Sequence, residues 1–91
     1  MAVTHGMNVE EVKRISGRLT QQASEVQDVI SKVDALLAQA LGAWVGPDSK
    51  KFDALWKSHR PRLQGLKNDL DDLARKAMAN ANTQSTISNQ L

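Results

Sequence analysis

The residues with the most chemical potential in this 91-residue chain are two histidines, an acidic group and a basic group. Histidine and carboxylate side chains suit proton transfer or a metal ion when they converge. Here His5 and His59 lie far apart, and no cysteine supports either of them. A structural zinc site is therefore not expected, and no disulfide can brace the chain. Asp69, Asp71 and Asp72 are close in sequence. On a helix such neighbours point in different directions, so they read as a solvated acidic patch, not a calcium loop. Lys50, Lys51, Lys57, Arg60, Arg62 and Lys67 make a locally basic stretch of the kind that contacts phosphate backbones. Acidic residues interrupt it, and aromatic residues are too few for a stacking platform. A solvated charged face explains it better. No nucleophile–base pair and no glycine-rich phosphate loop is present. The sequence points away from an enzyme, and no cofactor or metal is expected.

What remains is a pattern of apolar residues, and that pattern sets the elements. Asn8 opens the first helix, with Glu11 three residues on in an Asn-x-x-Glu capping box. Met7 and Val12 are spaced for the accompanying hydrophobic staple. From there apolar residues recur every seven positions in three columns. One holds Val12, Leu19, Val26, Val33 and Ala40. The next holds Ile15, Gln22, Val29 and Leu36. The third holds Ala23, Ile30, Leu37 and Trp44. Three columns in seven make a broad face, wider than a two-stranded seam needs. Lys13, Arg14, Arg18, Glu25, Asp28, Lys32 and Asp34 occupy the other faces. Gly17 reads as a tolerated surface glycine.

Gly42-Ala43-Trp44-Val45-Gly46-Pro47-Asp48 interrupts the period. Gly42 is placed to end the first helix in a left-handed conformation. Gly46 reads as the cap of a second helix, with Pro47 as its first residue and Asp48 and Ser49 in its first turn. The second helix carries a stripe of Phe52, Trp56, His59, Leu63, Leu66, Leu70, Leu73 and Ala77, broadened by Leu55. Spacings of four and three sustain it over more than three heptads. Pro61 lies off the stripe. The phase runs through it unchanged, so a kink is expected there, with a full break at Arg60 as the alternative. His59 sits in the stripe as a half-buried histidine paired with a neighbour. The sequence predicts one domain: a first helix over about 8–41, a turn at 42–47, a second helix over about 48–79 and a flexible tail at 80–91. Met1–Met7 is expected to be a mobile lead. Ile87 and Leu91 fall on one helical face, which leaves room for the tail to fold upon a partner.

Two helices of roughly 50 Å each, joined by a short turn, make an antiparallel hairpin. One neighbour covers about two of the three apolar columns. The remainder forms an elongated patch that a lone soluble chain rarely keeps. The expected fold is all-α, a hairpin pairing with itself or with a related chain into a four-helix bundle. Its core would be built from Val12, Ile15, Leu19, Val26, Val29, Ile30, Val33, Leu36 and Leu37 in the first half. Phe52, Leu55, Trp56, Leu63, Leu66, Leu70 and Leu73 supply the second. Trp44 is placed to plug the end of the bundle. No cationic start leads into an apolar run, so no cleaved secretory leader is expected. No apolar stretch is long enough to span a bilayer.

Two amphipathic helices joined near the middle by Trp44-Val45-Gly46 resemble the WXG family of ESAT-like proteins. Gly46-Pro47-Asp48, Phe52 and Trp56 strengthen the likeness, which covers about Asn8 to Ala79. The resemblance implies a homodimeric or heterodimeric four-helix bundle handled by a type VII (ESX-type) secretion system. It further implies leaderless export from a Gram-positive or actinobacterial cell. Trp44 and Gly46 would then form half of an export signal. The family's other half is a Tyr-x-x-x-Asp/Glu motif after the second helix. This chain has no tyrosine, so either a partner supplies that half or the chain is not exported by itself. Two other readings compete with export: an intracellular coiled-coil adaptor, and a basic-faced nucleic-acid-binding helical protein.

Overall fold

The computed structural model describes residues 7–90, with side chains as far as residue 87. The mobile lead expected over Met1–Met7 falls almost wholly outside these residues, as does Leu91. Two helices make up the fold: α1, Val9–Ala43, and α2, Pro47–Gln90. They pack antiparallel along their length into a rod of 68 × 17 × 15 Å.

Asn8 caps α1 with extended backbone angles, and its side-chain oxygen accepts the Glu11 N–H at 3.1 Å. This satisfies one of the donors that a helix start leaves open, worth about 1 kcal/mol. Only half of the expected capping box forms. The Glu11 carboxylate turns away to pair with Arg14, whose guanidinium holds that carboxyl below its usual range.

The turn is tighter than the sequence predicts. Gly42 stays helical, α1 runs to Ala43, and Trp44 follows as an extended C-cap. Only Trp44, Val45 and Gly46 link the helices, in place of a turn over 42–47. The positive φ falls on Gly46, at 152°, and not on Gly42. Pro47 then starts α2 as expected. The Ser49 hydroxyl reaches back to donate to the Gly46 carbonyl at 2.8 Å.

The second helix differs more. It passes Pro61 without interruption, so the break at Arg60 does not occur. It also runs to Gln90, where the sequence reading places a flexible tail over 80–91. Thr83 and Thr86 donate their hydroxyls to the Ala79 and Asn82 carbonyls, four residues back. Once a helix is nucleated, each further residue adds a hydrogen bond for little cost, which offsets their modest propensity.

The seam between the helices is built mostly from small side chains, with Ile30 the one large side chain fully buried among the described residues. Ser16, Ala23 and Ile30 of α1 are buried, each seven residues from the next. Ala74 and Ala81 of α2 are buried against that column, again seven apart. The Ser16 hydroxyl donates to the Ala74 carbonyl at 2.7 Å, inside the seam. Small residues let the backbones approach closely, so this column, not the larger valines and leucines, faces inward.

Candidate functional site

With the seam fixed, the two long edges of the rod differ in kind. At about 100° per residue, Asp34 of α1 and Arg60 of α2 lie on one edge. Arg60 grips Asp34 with both ends of its guanidinium, Nε at 3.1 Å and Nη2 at 2.9 Å. The Trp56 indole N–H donates to the same carboxylate at 2.7 Å. Three residues from two helices thus form a polar clamp. Arg60 first, and then Trp56, holds the Asp34 carboxyl below its ordinary range. The sequence reading put Asp34 on an outer polar face and missed this contact. The signal was available in the pairing of Trp56 with Arg60 one turn apart, opposite a lone acid.

The other edge is apolar. Val33 and Leu37 of α1 line an open groove of about 220 Å³ with Phe52, Leu55, Trp56 and His59 of α2. Ile15, Val29 and Leu36 continue the surface along α1, and Leu66 and Leu73 continue it along α2. All seven of Ile15, Val29, Leu36, Phe52, Leu55, Leu66 and Leu73 are exposed in the single hairpin. Val12, Leu19, Val26, Val33, Leu37, Trp56, Leu63 and Leu70 are half-buried, and Ile30 is fully buried. The expected core residues therefore split between a thin seam and an uncovered face. His59 opens onto that face and is exposed, not half-buried as the sequence suggested.

The turn adds a third feature. Trp44 is the first residue after α1. Its ring rests on Phe52, with centroids 5.3 Å apart and a 48° tilt, and stays 41% exposed. A single hairpin has no neighbouring element beyond its own turn to cover it. Val45 beside it is 95% exposed.

The described charged groups pair mostly with near neighbours. Lys57 pairs with Asp53, Lys67 with Asp71, and Arg60 with Asp34, so half of the basic group is matched by local acids. Asp72 pairs with Lys76 and Arg75, which hold it below its usual range, Lys76 most strongly. Among the described residues no three acidic or histidine side chains gather to hold a metal. None of the described helices is long and apolar enough to cross a membrane.

These features define a small helical hairpin with an exposed apolar edge and an exposed aromatic turn. The sequence matches the family described as proteins of 100 residues with WXG (WXG100) over residues 6–86, and the chain belongs to that family, whose members are associated with type VII secretion. Comparison with curated proteins returns no sequence match. Solved structures share the fold. EsxA of Geobacillus thermodenitrificans superposes with a TM-score of 0.88 at 19% identity, over 93% of this chain and 92% of that one. Selenomethionine-labelled EsxB, a secreted protein of Bacillus anthracis Sterne, gives 0.83 at 22% identity, over 97% and 99%. A point mutant of the same EsxB gives 0.81 at 23%, over 94% and 98%.

Proposed function

We propose that this chain is a non-enzymatic partner or substrate subunit of a type VII secretion system, acting as a dimer with itself or with a related chain. One observation carries this reading: seven large apolar residues left uncovered, Ile15, Val29, Leu36, Phe52, Leu55, Leu66 and Leu73, fall on a single edge of the rod, while Leu41 lies on the clamp edge and Trp44 and Val45 lie at the turn. Their exposed area is on the order of 600 Å², close to the ~800 Å² per partner of a standard interface once a polar rim is added. Scattered exposed leucines would need no explanation, but a continuous apolar edge does. Trp44 and Gly46 serve as the turn half of the export signal. These 91 residues hold no tyrosine, so either a partner chain supplies the second half of that signal or this chain is not exported by itself. The family membership and the shared fold of secreted EsxB support the leaderless route.

The test has two arms. Fractionation of cells and medium from the native host reads export, and sedimentation of the purified chain, with and without its genomic neighbour, reads assembly. Retention of the protein in cells with an intact secretion system would remove the export role. A monomer in both sedimentation runs would remove the dimer.

A further inference from the structure

Resting on the reading of the apolar edge as a dimer interface, we infer that Asp34, on the opposite edge, is a positioning residue for that interface: it holds the Trp56 indole N–H away from the partner, so that the ring offers it only carbon. The inference starts from a shared wall. The groove on the apolar edge and a pocket of about 290 Å³ on the clamp edge lie on either side of Leu37 and Trp56, which line both. Leu37 presents carbon to either side. Trp56 differs, because its apolar ring carries one polar atom, a donor with no acceptor capacity.

Covering the apolar edge makes the direction of that donor matter. An indole N–H shut against apolar surface loses its hydrogen bond to water and gains none in return. Val33, Leu37, Phe52 and Leu55 around the groove carry no side-chain acceptor. His59 is the one other side chain there with a polar atom, and the Trp56 N–H does not go to it. The N–H turns to the other edge, where Asp34 accepts it at 2.7 Å. Consecutive residues on a helix point about 100° apart. Val33 therefore lines the groove while Asp34, next to it, lines the clamp pocket.

Asp34 suits this task because it is itself held. The Arg60 Nε lies 3.1 Å from both of its carboxylate oxygens, and Nη2 lies 2.9 Å from one of them. Trp56 and Arg60 stand one turn apart on α2, so a single carboxylate reaches both. The other carboxylate of the clamp pocket, Asp53, is taken by Lys57 at 2.7 Å. Arg60 thus fixes Asp34, and Asp34 fixes the indole through a charge-assisted bond, the stronger kind. The ring is set in place before a partner arrives, which lowers the ordering cost of association. Asp34 does not line the groove, so its influence there passes through Trp56.

A double-mutant cycle in the full chain separates this role from plain support of the hairpin. Sedimentation reads association with whichever chain the wild type pairs with, its own copy or its genomic neighbour. Asp34→Ala should weaken association about tenfold. Asp34→Asn keeps an oxygen for the indole and should recover part of that loss. Trp56→Phe removes the donor, and in that background Asp34→Ala should change association less than about twofold. Circular dichroism should show unchanged helicity throughout. The indole N–H resonances give a second readout that does not depend on association. The chain has two tryptophans, and Trp44→Phe assigns their signals. Asp34→Ala should move the Trp56 resonance and speed its exchange with solvent, leaving that of Trp44 in place. Equal losses in both backgrounds would show that Asp34 supports the hairpin and not the ring, and would overturn the positioning role. Wild-type association in Asp34→Ala, or an unmoved Trp56 resonance, would overturn it too while leaving the interface intact. A wild-type chain monomeric with either partner would remove the dimer reading and the positioning role with it.

Discussion

Replacing Leu66 and Leu73 together by alanine separates what holds the hairpin from what covers it. In the single chain these side chains are 46% and 52% exposed. Fully burying a leucine is worth about 1.5–3 kcal/mol, so about 1 kcal/mol of each remains to be gained when the apolar edge is covered. Two positions on each of two copies give about 4 kcal/mol for a homodimer, roughly three decades in Kd. The half already buried in the hairpin adds a folding loss of about 1 kcal/mol per site. Sedimentation equilibrium reads the first effect. Thermal unfolding at two protein concentrations reads the second and shows whether melting depends on association. A double variant that associates as tightly as the wild type would refute the assignment of this edge as the interface. Tight association with lost helicity would show that the leucines serve the seam instead.

Other perturbations address the turn, the clamp and the proline. Gly46→Ala places a side chain at a φ of 152° that L residues rarely adopt. It should cost about 1–3 kcal/mol and lower the melting temperature by several degrees; an unchanged melt would show that the turn relaxes freely. The clamp makes stability depend on acid. Asp34 titrates below its ordinary value of 3.8, so its contribution is full above that pH and is lost as pH falls through the lower folded value. Melting temperature should hold from neutrality to about pH 5 and drop below about 4, and Asp34→Asn should flatten part of that drop; an equal drop in the variant would assign it to other acids such as Glu11 and Asp72. Pro61→Ala returns the missing N–H to the Lys57 carbonyl and should stabilise α2 by up to about 3 kcal/mol, read as a higher urea midpoint. A lower midpoint would mean that the proline ring packs usefully where it stands.

Much of this architecture was legible because helix signals are local. Asn8, the seven-residue columns and Gly46-Pro47 each act within a turn or two of their own position, and the two helices and their junction follow from them. The inward column was harder to read. A period of seven gave three candidate stripes on α1, and hydrophobicity ranked the large residues first. The closest approach instead selects the smallest, Ser16, Ala23, Ala74 and Ala81, because backbone proximity is decided between helices and not along one. Asp34 escaped notice for the same reason, since its partners lie more than twenty residues away. The length of α2 was underestimated because propensity was weighed residue by residue, while the Thr83 and Thr86 hydroxyls bond to the helix's own carbonyls.

The unequal lengths of the two helices have one more consequence. With Ser16 against Ala74, Val9 comes level with Ala81, and α2 continues about 14 Å farther. From Ala77 to Gln90 this stalk carries no ionisable residue. In an antiparallel pair of hairpins, each tip of the rod would present one copy's neutral stalk beside the other's Trp44 and Val45. The assembly would then be two-headed, with identical docking points facing opposite ways. A receptor that reads one tip would meet the same surface at the far end, so a single rod could bridge two receptors and gain avidity from their clustering.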